Sequence, residues 1–393
     1  MRRKRNFTMK KEIMLFAIAS VLCLVTSGTS AWADHSPPSD NANLKKEMTD
    51  LQNRVTGLEQ KIGPDGTTDN RLLQSALSGL QLSGGISAGS FYASNPGKEI
   101  SDNEFLLSNF LVELSSTDAN LPVGFVGAFG ETSTPSLLST PENKTTFDIE
   151  YASLTVKPFS DMHLEVGLLQ PNAGFENTYT FNNINVMLGA LASQQPYNAY
   201  GARLAYDVNG LHLCAGYYKK RLDDTDEYND NGSTPGDSWE IRAGGSVFDN
   251  KFSVYHYHIE GHRNLTGAVV ERTIKNVCLA VNIDYWNRDE GMRSFYESQS
   301  AIGGAFYVTP RFGHFSIPVR LEYIDQGESR IFIENVDSKR IYTATISPTY
   351  TFCENAYVRI ESAYVYADNA FADKNGNSKN NRVCLAAEVG YLF

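Results

Sequence analysis

Val383-Cys384-Leu385-Ala386-Ala387-Glu388-Val389-Gly390-Tyr391-Leu392-Phe393 closes the chain and alternates with a strict period of two. Val383, Leu385, Ala387, Val389, Tyr391 and Phe393 share one face, while Cys384, Ala386, Glu388 and Gly390 share the other. That period is the mark of a strand with one apolar face. The only charge, Glu388, lies opposite the large apolar residues, and the apolar face ends on aromatics. A strand crossing a bilayer within a barrel needs about 9–11 residues, an apolar lipid face and an aromatic at the interface. The stretch meets all three conditions. A closing strand of a soluble sandwich alternates in the same way, so the rest of the chain decides.

Working outward, the 393 residues are 41% hydrophobic and include 21 Tyr and 21 Phe. A mean hydropathy of −0.32 is too polar for a bundle of membrane helices, whereas a barrel with a wet interior mixes lipid-facing and lumen-facing residues in this way. Aromatics in such numbers suit interfacial girdles. The net charge of −11 argues against a nucleic-acid partner.

Residues 1–33 have the pattern of a secretory signal peptide. Arg2, Arg3, Lys4, Arg5, Lys10 and Lys11 form a basic region, an apolar stretch runs from about Ile13 to Val25, and Ala31-Trp32-Ala33 is a small-x-small cleavage site. Leu22 before Cys23 is larger than a lipoprotein signal tolerates. After cleavage Cys214, Cys278, Cys353 and Cys384 remain, with spacings that suit no metal site and leave three disulfide pairings or free thiols open. Further on, Leu44, Met48, Leu51, Val55, Leu58 and Ile62 recur at spacings of four and three, until Gly63-Pro64 stops the run. This is a short α-helical coiled-coil seam in a periplasmic segment spanning 34–80, and it needs further copies of the chain to bury it. Met48, Val55 and Ile62 alternate with Leu44, Leu51 and Leu58. β-branched residues opposite Leu lean toward two strands, and a trimeric barrel beneath would impose three. An amphipathic helix lying on another surface is the alternative.

From residue 81 to 393 period-two runs follow one another. Upward strands are expected near 81–93, 122–131, 162–170, 211–221, 251–260, 277–287, 314–325 and 355–367. Downward strands are expected near 105–115, 147–157, 199–207, 238–248, 265–274, 299–309, 339–352 and 381–393. Turns at one rim are tight, as at Val208-Asn209-Gly210 and Asp249-Asn250, while loops at the other are long, as at Asp223–Asp237 with its six acids. That asymmetry and the even count of sixteen imply an all-β, transmembrane antiparallel β-barrel of about 16 strands in an outer membrane, with lipid around it.

The pleat assigns the lumen. Arg320 and Glu322 alternate with lipid-facing Val319, Leu321 and Tyr323, and Arg359 and Glu361 with Val358 and Ile360. Arg203, the pair Glu240 and Arg242, and His163 with Glu165 also face inward, beside the ladder Thr343, Thr345, Ser347, Thr349 and Thr351. Sixteen strands leave room for an aqueous channel. The Arg/Glu pairs read either as mutually neutralised lumen charges or as a selectivity girdle for anionic or polyol solutes. One loop is out of scale. Pro171 to Asn198 is the third long loop and carries Phe175, Phe181, Met187 and Leu191, too apolar to stay in water. Folded inward, it buries these residues and offers Asn172, Asn177, Asn182, Asn183 and Gln194 to solute; capping a neighbouring protomer is the alternative.

Hydrolase, zinc-protease and phosphate-loop signatures do not occur, so no enzyme and no cofactor is expected. His256, His258 and Glu260 share one strand face, either as a zinc-type set or as a polar lumen face.

The closing Phe393 resembles the terminal signature of bacterial outer-membrane proteins. Gly167, Pro171, Gly174 and Glu176 resemble the G-x-x-x-P-x-x-G-x-E pattern of OmpL-like porins. Residues 165–221, with Thr178-Tyr-Thr-Phe-Asn-Asn183, Leu191-Ala-Ser-Gln-Gln-Pro-Tyr-Asn-Ala-Tyr-Gly201 and Gly216-Tyr-Tyr-Lys-Lys-Arg221, resemble the LbtU family of siderophore porins. That resemblance implies ferric-siderophore uptake without a TonB-type plug. The classes left in competition are this one, a general or anion/carbohydrate-selective porin for small solutes, and a structural or adhesive barrel.

Overall fold

The computed structural model describes residues 79–97, 103–116, 122–139, 147–219, 237–259, 263–288, 300–327, 329, 331–332 and 338–393. The expected export segment, the heptad seam and most of the acidic loop 223–237 lie outside the described residues.

The strands are β1 (Leu80–Ala93), β2 (Asn103–Ser116), β3 (Val123–Thr132), β4 (Asp148–Phe159), β5 (Met162–Leu169) and β6 (Ala199–Val208). They continue with β7 (Leu211–Tyr218), β8 (Ser238–Val247), β9 (Asn250–Ile259), β10 (Arg263–Ile274), β11 (Val277–Arg288) and β12 (Ser300–Phe312). The last four are β13 (Phe315–Ser316 and Val319–Asp325), β14 (Arg340–Ile346 and Thr349–Cys353), β15 (Ala356–Ala372) and β16 (Ser378–Leu392). Each strand pairs with the next, and β16 pairs antiparallel with β1, placing Tyr391 opposite Ile86 and Glu388 opposite Gly89. Among the described residues this closes a 16-strand antiparallel barrel, and closure leaves no sheet edge unpaired in lipid.

The expected strand 265–274 is present as β10, bonded along its length to both β9 and β11. Two strands that alternation alone presents as continuous are each broken at a proline. Pro318 divides β13 and Pro348 divides β14, because a proline has no N–H for the ladder. Their carbonyls still bond: Ser347 N–H donates to Pro318 O at 2.9 Å and Ile360 N–H to Pro348 O at 3.0 Å.

The tight turns follow local chemistry. Asn209 (φ 49°) and Gly210 (φ 81°) turn β6 into β7, and Asn-Gly is the preferred pair for a hairpin turn with both central residues at positive φ. The β8–β9 turn lies one residue earlier than the sequence pattern suggests. Phe248 and Asp249 take the positive φ values, and the Asn250 side chain starts β9 by donating to the carbonyls of Val247 and Phe248.

The outer wall is apolar between two aromatic belts. Phe159, Tyr206, Phe248, Phe312, Phe352, Tyr391 and Phe393 ring the short-turn rim, all exposed. Tyr92, Tyr200, Tyr217, Trp239, Tyr323, Tyr342 and Tyr364 ring the other, with Leu154, Val166, Leu204, Ile241, Val254, Leu321, Ile360 and Val389 between. Exposed apolar area of this extent is what a lipid-facing wall requires. The four cysteines of the described residues are free thiols.

Candidate functional site

The β5–β6 connection does not stay at the rim. Pro171 ends the ladder of β5, and the chain then runs across the barrel interior, forming single 3-10 turns at Thr180–Asn182 and Ala192–Gln194 before rejoining the wall at Ala199. A segment without a strand partner must find acceptors for its own N–H groups. Here the wall supplies them. Asn172 N–H donates to Tyr257 Oη on β9 at 3.0 Å, and Phe175 N–H to Asn282 Oδ1 on β11 at 3.1 Å. Glu361 on β15 accepts the successive N–H groups of Val186 and Met187 at 2.6 and 3.1 Å. Glu322 on β13 does the same for Ala190 and Leu191 at 3.1 and 2.9 Å. Glu388 on β16 accepts Thr180 Oγ1–H at 2.6 Å.

Cations complete the clamp. Arg320 reaches Glu176 of the segment at 2.8 Å and Glu322 at 3.6 Å, and donates to Met187 O at 2.9 Å. The second Glu176 oxygen accepts Gly189 N–H at 2.8 Å. A side chain at Gly189 would place its Cβ 2.5 Å from a Glu322 oxygen, so only glycine lets the backbone approach both carboxylates. Arg359 binds Glu388 at 2.6 Å and donates to Asn183 O at 2.7 Å and to Thr180 O. On the apolar side Val186, Met187, Ala190 and Leu191 join Ile324, Ile341, Ala363 and Val365 in one buried cluster. Leu137 of the preceding long loop joins them, its N–H donating to Leu188 O at 3.1 Å.

The structure therefore divides the charged residues into two groups. Arg320, Glu322, Arg359 and Glu361 face inward but are 0–4% exposed, and the segment covers them. In a wet lumen they would be solvated, whereas here segment backbone has replaced water. Arg203, Glu165 and Arg242 stand on β6, β5 and β8 and keep partial exposure, while Glu240 on β8 is 1% exposed, its carboxylate accepting Tyr218 Oη–H at 2.5 Å. Arg203 holds Glu165 at 2.6 Å and Glu240 at 3.7 Å, and donates to Gln170 O at 2.9 Å. Arg242 is half-buried, and its Nε has no hydrogen-bond partner among the described residues.

The amides also separate. Asn177 and Asn183 bind each other, Asn177 N–H donating to Asn183 Oδ1 at 2.6 Å and Asn183 Nδ2 donating back to Asn177 O. Asn182 is exposed, and Gln194 Oε1 accepts from Arg263 at 3.2 Å. Asn172 and Asn177 line a cavity of about 110 Å³ with Gln170, Glu176, Thr178, Gln195, Tyr197 and Asn198, at the root of the segment. Burial raises the Tyr179 phenol well above its ordinary pKa. Glu176 and Gly189 escape a reading of alternation because they stand in the loop, Asn282 because it is a polar lumen residue like many more, and Tyr257 because its strand has the opposite polarity to the expected one.

His256 and His258 do not face the lumen. Their neighbours Tyr255, Tyr257 and Ile259 point inward and are buried, which sends both imidazoles outward against the exposed Trp239, with ring centroids 5.1 and 5.5 Å away. Inward apolar residues at this height face the folded-in segment, and this inverts the expected polarity of the strand. Among the described residues no group of three His, Cys, Asp or Glu is arranged to hold a metal ion.

Solved structures with this architecture include OmpT, an outer membrane protein of Vibrio cholerae described in a trimer form. It is 11% identical at a TM-score of 0.54, with 80% of this chain and 99% of that chain covered. The outer membrane channel DcaP of Acinetobacter baumannii is 14% identical at a TM-score of 0.53, with 80% and 97% covered. At such identities the likeness is one of fold. No curated protein sequence matches the chain. Residues 79–393 match the family model "Putative beta-barrel porin-2, OmpL-like". The chain belongs to this OmpL-like family of outer-membrane β-barrel porins.

Proposed function

We propose that this chain is a passive outer-membrane channel for small polar solutes, and that the inward segment 171–198 sets what passes. The observation that carries the reading is the division of the wall. On β13, β15 and β16 the inward Arg320, Glu322, Arg359, Glu361 and Glu388 are spent on the segment, while Glu165, Arg203 and Arg242 on β5–β8 keep partial exposure. The passage then runs between the segment and that wall. The two guanidiniums there are balanced by Glu165 and by the buried Glu240 that stands beside Arg203, so the open channel discriminates weakly between ions. In planar bilayers under a salt gradient the reversal potential is expected near zero, and Arg242→Glu shifts it toward cation preference. An unshifted potential would put the passage elsewhere.

A second reading, ferric-siderophore uptake, draws support from where its resemblance falls: Thr178–Asn183 and Leu191–Gly201 belong to the segment that folds inward or to the strand that receives it. Growth of iron-starved cells on a ferric siderophore, with and without this chain, tests it.

For the N-terminus the reading is an exported chain whose residues 34–62 join copies through a periplasmic coiled coil. Vibrio OmpT is described as a trimer, and three copies suit a seam that no single chain can bury. Deleting 34–62 is expected to leave a folded barrel and to shift cross-linked material from oligomer to monomer. An unchanged cross-linking pattern argues that the barrels associate without it.

A further inference from the structure

We propose that the cavity at the root of the inward segment is a binding subsite for one neutral polyhydroxylated solute, a sugar ring or a short polyol; this rests on the channel reading above. Its volume, about 110 Å³, suits a single small ring or a short chain rather than an oligomer. The polar groups around it are amides and a hydroxyl, and their bonds to protein use only part of their capacity. Asn177 Oδ1 accepts Tyr179 N–H at 2.9 Å, which leaves Asn177 Nδ2 as a donor. Gln195 Nε2 donates to Asp284 at 2.7 Å and to Asn282 at 3.1 Å, which leaves its Oε1 as an acceptor. Asn198 Nδ2 donates to Glu150 O, leaving Oδ1 as an acceptor. The bond made by Asn172 uses its backbone, so both ends of its side-chain amide are open.

The carboxylate in the lining, Glu176, is already engaged. Both oxygens of Glu176 are taken, by Arg320 and Tyr307 on one side and Gly189 N–H on the other. A ligand therefore meets amide and hydroxyl donors and acceptors in mixture, with the Glu176 oxygens already occupied. Hydroxyl groups, each both donor and acceptor, can satisfy such a set, whereas a carboxylate offers only acceptors and an ammonium only donors. The exposed Tyr197 at the rim adds an aromatic face on which the apolar side of a sugar ring can lie.

The test uses the purified full chain in planar bilayers, with glucose and sorbitol as probes and succinate and a polyethylene glycol of similar size as controls. Glucose and sorbitol are expected to reduce the ion current saturably, and the controls are not. Asn172→Leu fills the cavity and Thr178→Val removes a hydroxyl without changing shape. Each should raise the half-blocking concentration roughly tenfold, the scale of one or two neutral hydrogen bonds. A conducting channel on which the polyols have no effect, or whose block both variants leave unchanged, overturns the subsite and leaves the channel reading standing. Absence of conductance overturns the channel reading instead. Calorimetric titration of the detergent-purified chain with glucose then decides the subsite alone, and no heat of binding overturns it.

Discussion

Replacing residues 172–197 by a short Gly/Ser turn is expected to raise single-channel conductance several-fold and to erase solute preference. The barrel should survive the deletion, because β5 and β6 pair directly up to Leu169 and Ala199 and need nothing from the segment to complete their ladder. What is lost is the plug of Val186, Met187, Ala190 and Leu191, together with the backbone that covers Glu322 and Glu361. Those carboxylates then meet water in a channel whose interior, at sixteen strands, is wide enough to hold it. Planar-bilayer conductance and ferric-siderophore uptake by iron-starved cells are measured on both forms. If neither changes, the segment is no constriction and the transport reading loses its central element.

Arg320→Ala has the second large effect, and it should act on the segment rather than on the barrel. The guanidinium is fully buried between Glu176 and Glu322 and also holds Met187 O and Thr345 Oγ1. Removing one member of a buried ion pair costs about 3–5 kcal/mol, because the remaining charge is left without compensation. Here two carboxylates are left, and the cheapest relief is for the segment to leave the wall and admit water. The expected result is a noisy, frequently switching current and new protease sensitivity near Met187, with the barrel's heat resistance on gels unchanged. Adding Glu176→Gln and Glu322→Gln to Arg320→Ala removes the stranded charges and should restore much of the quiet current, a non-additivity expected only of coupled groups. A triple variant as noisy as the single one would assign the effect to lost packing.

Alternation along the strands was legible residue by residue, since side chains on a pleated strand point to opposite faces whatever lies beyond them. It placed Glu388 inward and Tyr391 and Phe393 outward, as found. It placed Arg320, Glu322, Arg359 and Glu361 inside as well. The same logic failed on β9, where His256 and His258 point outward. On β9 the inward Tyr255, Tyr257 and Ile259 join the apolar cluster of the folded-in segment, so the strand turns its imidazoles outward. On β13 and β15, by contrast, the inward charges are matched by the segment's own polar groups.

By its own pattern, then, the sequence determined the closed sheet, tight turns such as Asn209-Gly210, and the inward face of strands such as β13, β15 and β16. It also marked 171–198 as too long and too apolar for a rim loop. Only the tertiary structure decided what the inward charges meet. Glu361 finds Val186 across a separation of 175 residues and Glu322 finds Leu191 across 131. A period of two reports which way a side chain points, and it carries no information about a partner that arrives from another part of the chain. That is why four residues with the look of a selectivity girdle are, in the folded barrel, the clamp on the segment beside which we place the passage.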